Sequence, residues 1–355
     1  MSVIFKKINN QFENKLPFVV YCKPNSSKKI AFFQKNNALS KLDYTNEAGF
    51  AFVSFDNLQR YVLPESECDI YFEKNNDTDF YATPHAPLQV NQNNQERLQF
   101  EKLVSDGIDF ITKNNYQKIV LSRKVDLILE QFDFETLFNK LIIKYAAAFK
   151  YIFYHPKIGL WIGATPEQLV KMQGEVVKTV SLAGTQVYNK NENIEWQQKE
   201  LKEQQIVTDY ILKIFKKIAS EVTVSAPYSV QAGNLVHLKT DFQATVASDF
   251  KIEQVVNLLH PTPAVCGLPP NETKQFIIEN EGYDRSFYTG YLGEWKKNFE
   301  TFSINDTDLY VNLRCMNIVN NRASLYVGCG ITDESKPEKE FLETENKLQT
   351  MLAVL

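Results

Sequence analysis

The sequence predicts an α+β fold resting on antiparallel strands, and three observations carry that expectation. Between Tyr151 and Val180, short β-type runs are joined by the turns His155-Pro-Lys, Ala164-Thr-Pro-Glu and Gln173-Gly, too short for the crossovers that parallel strands need. Elsewhere apolar residues recur at helical spacing, most clearly at Val207, Tyr210, Ile211, Ile214, Phe215 and Ile218. The 355 residues are also 44% apolar and 23% charged and include 25 Phe and 17 Tyr, enough for an ample core and unlike a disordered chain.

Taken in order, residues 1–73 read as short strands such as Phe18-Val-Val-Tyr-Cys and Gly49-Phe-Ala-Phe-Val, separated by Asn, Lys and Ser turns. The polar stretch 74–96, with two prolines, reads as a connection between two parts of the fold. A helix carrying Leu103, Ile108 and Ile111 stops at Asn114-Asn115, and Lys118 then opens a long strand rich in Leu and β-branched residues. A helix is expected over 134–149, and the meander after it ends at Leu182-Ala-Gly-Thr185, where small residues let a ligand or another backbone come close. Beyond the long helix that follows Asn193, a strand is expected at 234–238. The proline-rich stretch 258–270 cannot be a regular helix and reads as an extended loop of fixed shape. A helix over 271–281, a strand over 309–316, and a final strand, turn and helix from Tyr326 to Leu355 complete the chain.

Composition excludes several function classes. A net charge of −4 offers no basic surface, so neither nucleic acid nor a membrane is an expected partner, and any anion has to be met locally. The five scattered cysteines lack a CxxC pair and indicate neither a disulfide framework nor a zinc site, which fits a reducing cytoplasm. No basic region followed by a long apolar run marks the N-terminus, and no run reaches about 18 apolar residues, so neither a signal peptide nor a membrane-spanning helix is expected. A monomer is expected.

A few charged residues fit their local pattern poorly. Extending the Val207–Ile218 stripe backward places Glu203 on the inward face. A buried carboxylate needs a partner, either a core Lys or Arg or a metal. Arg314 interrupts an otherwise apolar run, as a structural ion pair or as a bidentate clamp for a carboxylate. In the last helix Phe341, Leu348, Leu352 and Leu355 face the core, while Glu340, Glu343 and Lys347 share the opposite side. Taken alone, that side is a solvated face with an i,i+4 pair. Beside the glycines Gly328 and Gly330, it is also a carboxylate and an ammonium set for an anion and a cation. His237 and His260 match no metal-ligand spacing and read as structural histidines.

Together these segments resemble the chorismate-utilising enzymes, and more narrowly the isochorismate synthases. The resemblance rests on Lys118-Ile-Val-Leu-Ser-Arg, Gly163-Ala-Thr-Pro-Glu167, Leu182-Ala-Gly-Thr185, Lys202-Glu203, Leu235-Val-His-Leu, Leu259-His-Pro-Thr-Pro-Ala-Val-Cys-Gly, Asp284-Arg285, Leu313-Arg-Cys, Gly328-Cys-Gly-Ile and Glu343-Thr-Glu-Asn-Lys347. These occur in family order over residues 96–355, the chorismate-binding catalytic region, and residues 1–95 correspond to the family's variable N-terminal part, integrated into the fold. The resemblance implies a single large α+β domain of packed, mostly antiparallel sheets with helices outside. It also implies Mg²⁺ held by Glu203 and Glu343, a shell of oxygens that suits this ion.

For the substrate, the resemblance implies that chorismate lies among Ala183, Gly184, Thr185, His237, Arg314, Gly328 and Lys347. Arg314 and the Gly328 backbone would meet the enolpyruvyl carboxylate and Lys347 the ring carboxylate. Lys118 would act as general base on the water added at C2, and Glu167 as general acid to the departing C4 hydroxyl, roles that need tuned pKa values. Lys118 is the residue expected for water addition, and Ala183 stands where aminodeoxychorismate-forming relatives carry a nucleophilic lysine. The expected enzyme is an isomerase, an isochorismate synthase serving menaquinone or siderophore synthesis. A salicylate synthase and a non-catalytic chorismate-binding protein are the alternatives. The sequence departs from the family's pattern where Gln204 and Gln205 follow Glu203 in place of His and Glu, and where Ser181 replaces a proline.

Overall fold

In the computed structural model, residues 2–43, 47–74, 94–129, 131–188, 194–232 and 235–355 are described. The connection expected over 74–96 therefore lies outside the described residues except at its ends. Among the described residues the strands form two sheets, every pair antiparallel. The first has nine strands, in the order Gly267–Leu268, Lys118–Ile128, Arg322–Ile331, Cys315–Val319, Gly159–Thr165, Phe149–His155, Phe18–Cys22, Lys28–Gln34 and Cys68–Lys74. The second has ten strands and runs from Val222–Val224 through Leu235–Thr245, Val176–Val187, Gln168–Gln173, Thr307–Val311 and Tyr291–Trp295 to Gly49–Val53 and its neighbours, with Tyr228–Ala232 paired beside Leu235–Thr245. Strands from residues 1–95 enter both sheets.

The aromatic residues explain the layering. Successive strand side chains point to opposite faces, and in Phe18–Cys22 the odd and even positions part cleanly. Phe18, Val20 and Cys22 join the core under the helices, and Val19 and Tyr21 join the core between the sheets. That inner core is largely aromatic: Phe52 stacks on Phe153 at 4.2 Å and on Phe287 at 4.4 Å, and Phe149 stacks on Tyr310 at 4.5 Å. A strand covered on both faces is apolar throughout, so its sequence loses the alternation of a half-exposed strand. Helices Val3–Glu13 and Phe134–Lys144 cover the nine-stranded sheet, and Gln198–Ile218 and Ile252–Leu259 cover the ten-stranded one. Helices Asn94–Lys113, Pro270–Asn280 and Pro337–Leu352 close the end where Lys118–Ile128 and Arg322–Ile331 lie.

Four expectations are corrected. The meander expected over Tyr151–Val180 is two antiparallel hairpins in different sheets, because the Ala164-Thr-Pro-Glu turn carries the chain from the nine-stranded sheet to the ten-stranded one. The N-terminal stretch opens with a helix, Val3–Glu13, capped by Ser2 and burying Ile4, Phe5 and Ile8, where strands were expected. The helix expected over 134–149 ends at Lys144, and Phe149 begins a strand. The strand expected over 309–316 is two strands in different sheets, Thr307–Val311 and Cys315–Val319, and Arg314 lies in the crossing between them with φ +47°. All five cysteines are free and buried, and no helix is long and apolar enough to cross a membrane among the described residues.

Because Phe52 is gripped by two stacked rings, Phe52→Ala should leave a cavity that the sheets cannot close. It should cost about 3–5 kcal/mol of unfolding free energy, read from denaturant titration; a loss below about 1 kcal/mol would show that the inter-sheet core is loosely packed.

Candidate active site

Two chain crossings between the sheets lie side by side and set the site. Pro166 and Glu167 link Gly159–Thr165 to Gln168–Gln173, and Asn312, Leu313 and Arg314 link Thr307–Val311 to Cys315–Val319. Hydrogen bonds join the two crossings: Thr165 Oγ1 donates to the Val311 carbonyl at 2.5 Å, Val311 N to Glu167 O at 2.9 Å, and Ala164 N to Arg314 O at 3.0 Å. Asn312, fully buried, accepts from the Tyr151 hydroxyl at 2.6 Å and donates to the Phe287 carbonyl at 2.9 Å. Glu167 and Arg314 therefore face one cavity of about 60 Å³, also lined by Ala183, Gly184, Thr185, Glu203, His237, Gly328 and Lys347. The two remaining candidate residues reach it through partners. Lys118 is completely buried with Nζ 2.9 Å from the Glu203 carboxylate, and Glu343 pairs with Lys347 Nζ at 2.7 Å.

Backbone geometry makes these approaches possible. At Gly184 (φ +72°) the Val176–Val187 strand slips register against Leu235–Thr245, and its carbonyl meets His237. A Cβ at Gly330 would stand 2.2 Å from Glu203 Oε1 and 2.8 Å from Lys118 Cε, so glycine is what lets the strand run beneath that pair.

His237 is held neutral. Burial first, then Arg314 and Lys347, push its pKa down to about 3. Its Nδ1 lies 2.9 Å from Gly184 O and its Nε2 lies 3.3 Å from Arg314 NH2. A guanidinium can only donate, so Nε2 accepts and Nδ1 carries the hydrogen given to Gly184. The described residues offer Arg314 this neutral ring and no carboxylate within ion-pairing distance, which leaves a half-buried guanidinium suited to an anion. Lys347 spans Glu343 and the Gly328 carbonyl (2.9 Å), placing a second cation on the same wall.

The carboxyls differ from one another. Burial drives Glu167 up to about 7 against the pull of Lys118, Arg314 and Lys347, so it carries a proton through much of the neutral range. Glu340 is 1% exposed and is likewise raised to about 7, by burial and then by the neighbouring Glu343. Burial also acts to raise Glu343, but Lys347, Lys199 and Arg314 outweigh it and hold Glu343 below its usual value. The face of the last helix read as solvated is thus buried at Glu340, which Lys199 of helix Gln198–Ile218 covers as an ion pair.

Glu203, Glu340 and Glu343 all act on Lys199, so three carboxyls gather where these two helices meet, and Glu340 Oε2 is buried without a hydrogen bond. Carboxylate oxygens such as those of Glu203 and Glu343 are the donors a hard divalent cation takes. Among the described residues no three His, Cys, Asp or Glu side chains converge as a closed site, so an ion held by Glu203 and Glu343 would keep water or ligand oxygens, as Mg²⁺ does.

Sequence reasoning missed Lys199, Tyr288 and Tyr326, and it placed Glu340 on the charged face without its burial. The two tyrosine rings stack at 5.3 Å and line the cavity. Glu340, three residues before Glu343, was the legible clue. His260 donates to or accepts from nothing in the cavity; its Nε2 lies 3.1 Å from Ser54 O, a structural contact. Arg285 is also structural. It pairs with Glu281 and donates to the Val265 and Val120 carbonyls, both at 2.8 Å, holding Lys118–Ile128 against the loop after Leu259.

The family model described as chorismate binding enzyme matches residues 51–355. Isochorismate synthase EntC of Escherichia coli (strain K12) is 29% identical over 269 residues, 73% of this chain and 67% of that protein, so the chain spans about two thirds of that relative's length. Among solved structures, DhbC from Bacillus anthracis, assigned as a 2,3-dihydroxybenzoate-specific isochorismate synthase, superposes with a TM-score of 0.80 at 24% identity over 98% of both chains. MenF, the menaquinone-specific isochorismate synthase from Escherichia coli, gives 0.76 at 19% identity over 95% of this chain and 88% of its own. At these identities the two structures establish the fold.

A raised carboxyl pKa has a measurable stability consequence. Glu167 binds its proton more tightly folded (about 7) than unfolded (~4.5), so its contribution falls as pH rises between those values. Glu167→Gln removes that term. Relative to wild type it should gain up to about 3 kcal/mol between pH ~4 and ~7.5, checked by unfolding at several pH values; parallel pH profiles would refute the assignment.

Proposed function

The chain belongs to the chorismate binding enzyme family, and from that premise we propose that it is an isochorismate synthase, adding water at C2 of chorismate with loss of the C4 hydroxyl. The observation that carries this reading is that Glu167 and the Lys118–Glu203 pair face one cavity. Glu167 is raised to about 7 and so can keep a proton to give, and the cavity's other charged wall presents the Lys118 amine with Glu203. Water addition with hydroxyl departure needs one group to take a proton from water and one to protonate a poor leaving group. Lys118 takes the first role and Glu167 the second, so hydroxide never has to depart as a bare anion.

Arg314 and Lys347 hold the two carboxylates of the substrate. Arg314 is the better suited to a bidentate grip, because its guanidinium is planar and His237 fixes one edge of it. His237 thus positions Arg314 and, being neutral, donates no proton to the reaction. Ala183, Gly184 and Thr185 contribute a small-residue wall on which the ring rests, and Gly328 brings bare backbone to the cavity, a Cβ there standing 3.0 Å from Tyr288 Oη. Glu203 and Glu343 would hold Mg²⁺, which when bound would supply positive charge for the substrate's ring carboxylate. Product use in menaquinone or in catechol siderophore synthesis is consistent with the relatives' names, which include both kinds.

Incubation with chorismate and Mg²⁺, with products separated and identified, is expected to give isochorismate without pyruvate. Stoichiometric pyruvate with salicylate would overturn this reading in favour of a salicylate synthase, and binding without turnover would favour a non-catalytic role. Lys118→Ala should lower kcat by about 10²–10⁴-fold with chorismate binding retained; unchanged turnover would remove Lys118 from the role of base. Glu343→Gln should raise the Mg²⁺ concentration needed for half-maximal rate and the KM for chorismate together, and a wild-type titration curve would return Glu343 to a structural pair.

A further inference from the structure

Two grooves of comparable size open toward the catalytic cavity, and they differ in charge. One, of about 690 Å³, runs between helices Gln198–Ile218 and Pro337–Leu352 and meets the cavity at Thr185; its charged lining is five glutamates against three lysines. The other, of about 790 Å³, meets the cavity at Pro166, Leu182 and Arg314; its charged lining is five basic side chains against two acidic ones. Lys171 and Lys239 lie along this second groove, with 29% and 26% of their side chains exposed, Lys171 standing 3.9 Å from Asp308 and Lys239 pairing with Asp241 at 2.9 Å, and Lys144, exposed, adds a further cation to the lining.

We propose that the dianionic substrate reaches the cavity through the basic groove beside Arg314, steered by Lys144, Lys171 and Lys239, and not through the acidic groove between the two helices. This rests on the reading of chorismate as substrate. A cleft lined by one sign of charge raises the local concentration of the opposite ion and its rate of capture, an effect that fades as salt shortens the Debye length. Arg314 belongs to the linings of both groove and cavity. The last charge on the route is therefore the one that clamps the substrate, so capture and binding form a continuous descent in potential. An anion entering by the other groove would first have to pass Glu195, Glu200 and Glu334.

The test measures the chorismate association rate by stopped flow, with binding as the readout so that it stands apart from turnover. Ala147, exposed in the basic groove, and Asn346, exposed in the acidic one, are both outside the catalytic and binding machinery. Ala147→Phe is expected to slow association about tenfold and Asn346→Phe to leave it within about twofold. The double variant Lys171→Gln/Lys239→Gln should slow association about tenfold at ~0.01 M ionic strength and by less than about twofold at ~1 M. Unchanged association in Ala147→Phe, equal slowing by both blocking variants, or a salt-independent effect of the double variant would each overturn the route. Binding without isochorismate formation by the wild-type protein would overturn the reaction and leave the route to be judged on these rates; no chorismate binding would overturn both.

Discussion

The site depends on how a polypeptide can cross between two sheets whose facing sides are packed with aromatic rings. Each crossing carries peptide groups through a region with no water to bond them, and an unpaired buried N–H or C=O costs as much as a lost hydrogen bond. Here the two crossings answer each other's needs: Val311 serves Thr165 and Glu167, Arg314 serves Ala164, and Asn312 ties both to the surrounding strands. That mutual satisfaction fixes Glu167 and Arg314 in one space. The stacked rings around Phe52 and Phe149 then make the sandwich stiff enough to hold Arg314 at a positive φ that a side chain disfavours.

Charge is the second constraint. Lys118 with Glu203, Lys347 with Glu343 and Lys199 with Glu340 are three buried or half-buried pairs, and burying ions stabilises a fold only weakly even when they are paired. Their use is polarity in a dry place, where a fixed charge acts more strongly than in water. Arg314 stands outside those pairs, and burial favours the neutral form of Glu167, so positive charge gathers in the cavity while the chain is acidic. A net charge of −4 therefore says nothing against an anionic ligand, as long as the positive groups are gathered in one place.

Much of this was legible from local pattern. The inward turn of Glu203 follows from a stripe of six apolar residues on its own helix, and the hairpins Phe149–Thr165 and Gln168–Val187 follow from their short turns, because both are properties of neighbouring residues; the step at Pro166 and Glu167 from one hairpin to the other sheet does not show in them. The crossing at Arg314 was not legible. Val311 and Cys315 are both buried and both suit a strand, so nothing in the sequence marks that they belong to different sheets. Glu340 was misread for a related reason: its helix is covered on a second side by Lys199 from a helix well over a hundred residues earlier. The N-terminal helix was hidden by its asparagines and lysines, which occupy the outer face and resemble turn residues when read without a period.

Two of the residues that depart from the family pattern at helix Gln198–Ile218, Gln204 and Ser181, form one coupled pair. Gln204 Nε2 reaches the Ser181 hydroxyl at 2.8 Å and the Ser181 carbonyl at 3.2 Å, and that hydroxyl also lies 2.9 Å from Thr208 Oγ1. A proline at 181 would have no hydroxyl to receive the amide, and a shorter ring at 204 would meet the serine differently, so the two positions make sense together. The consequence is electrostatic. A histidine beside Glu203 would change its charge as pH passes through about 6.5, whereas an amide keeps the same dipole throughout. His237 is pressed down to about 3, and burial raises the Glu167 and Glu340 carboxyls to about 7. Pairing Gln204 with Ser181 thus sets an uncharged amide beside Glu203, and the raised carboxyl that lines the cavity, Glu167, is the proposed proton donor.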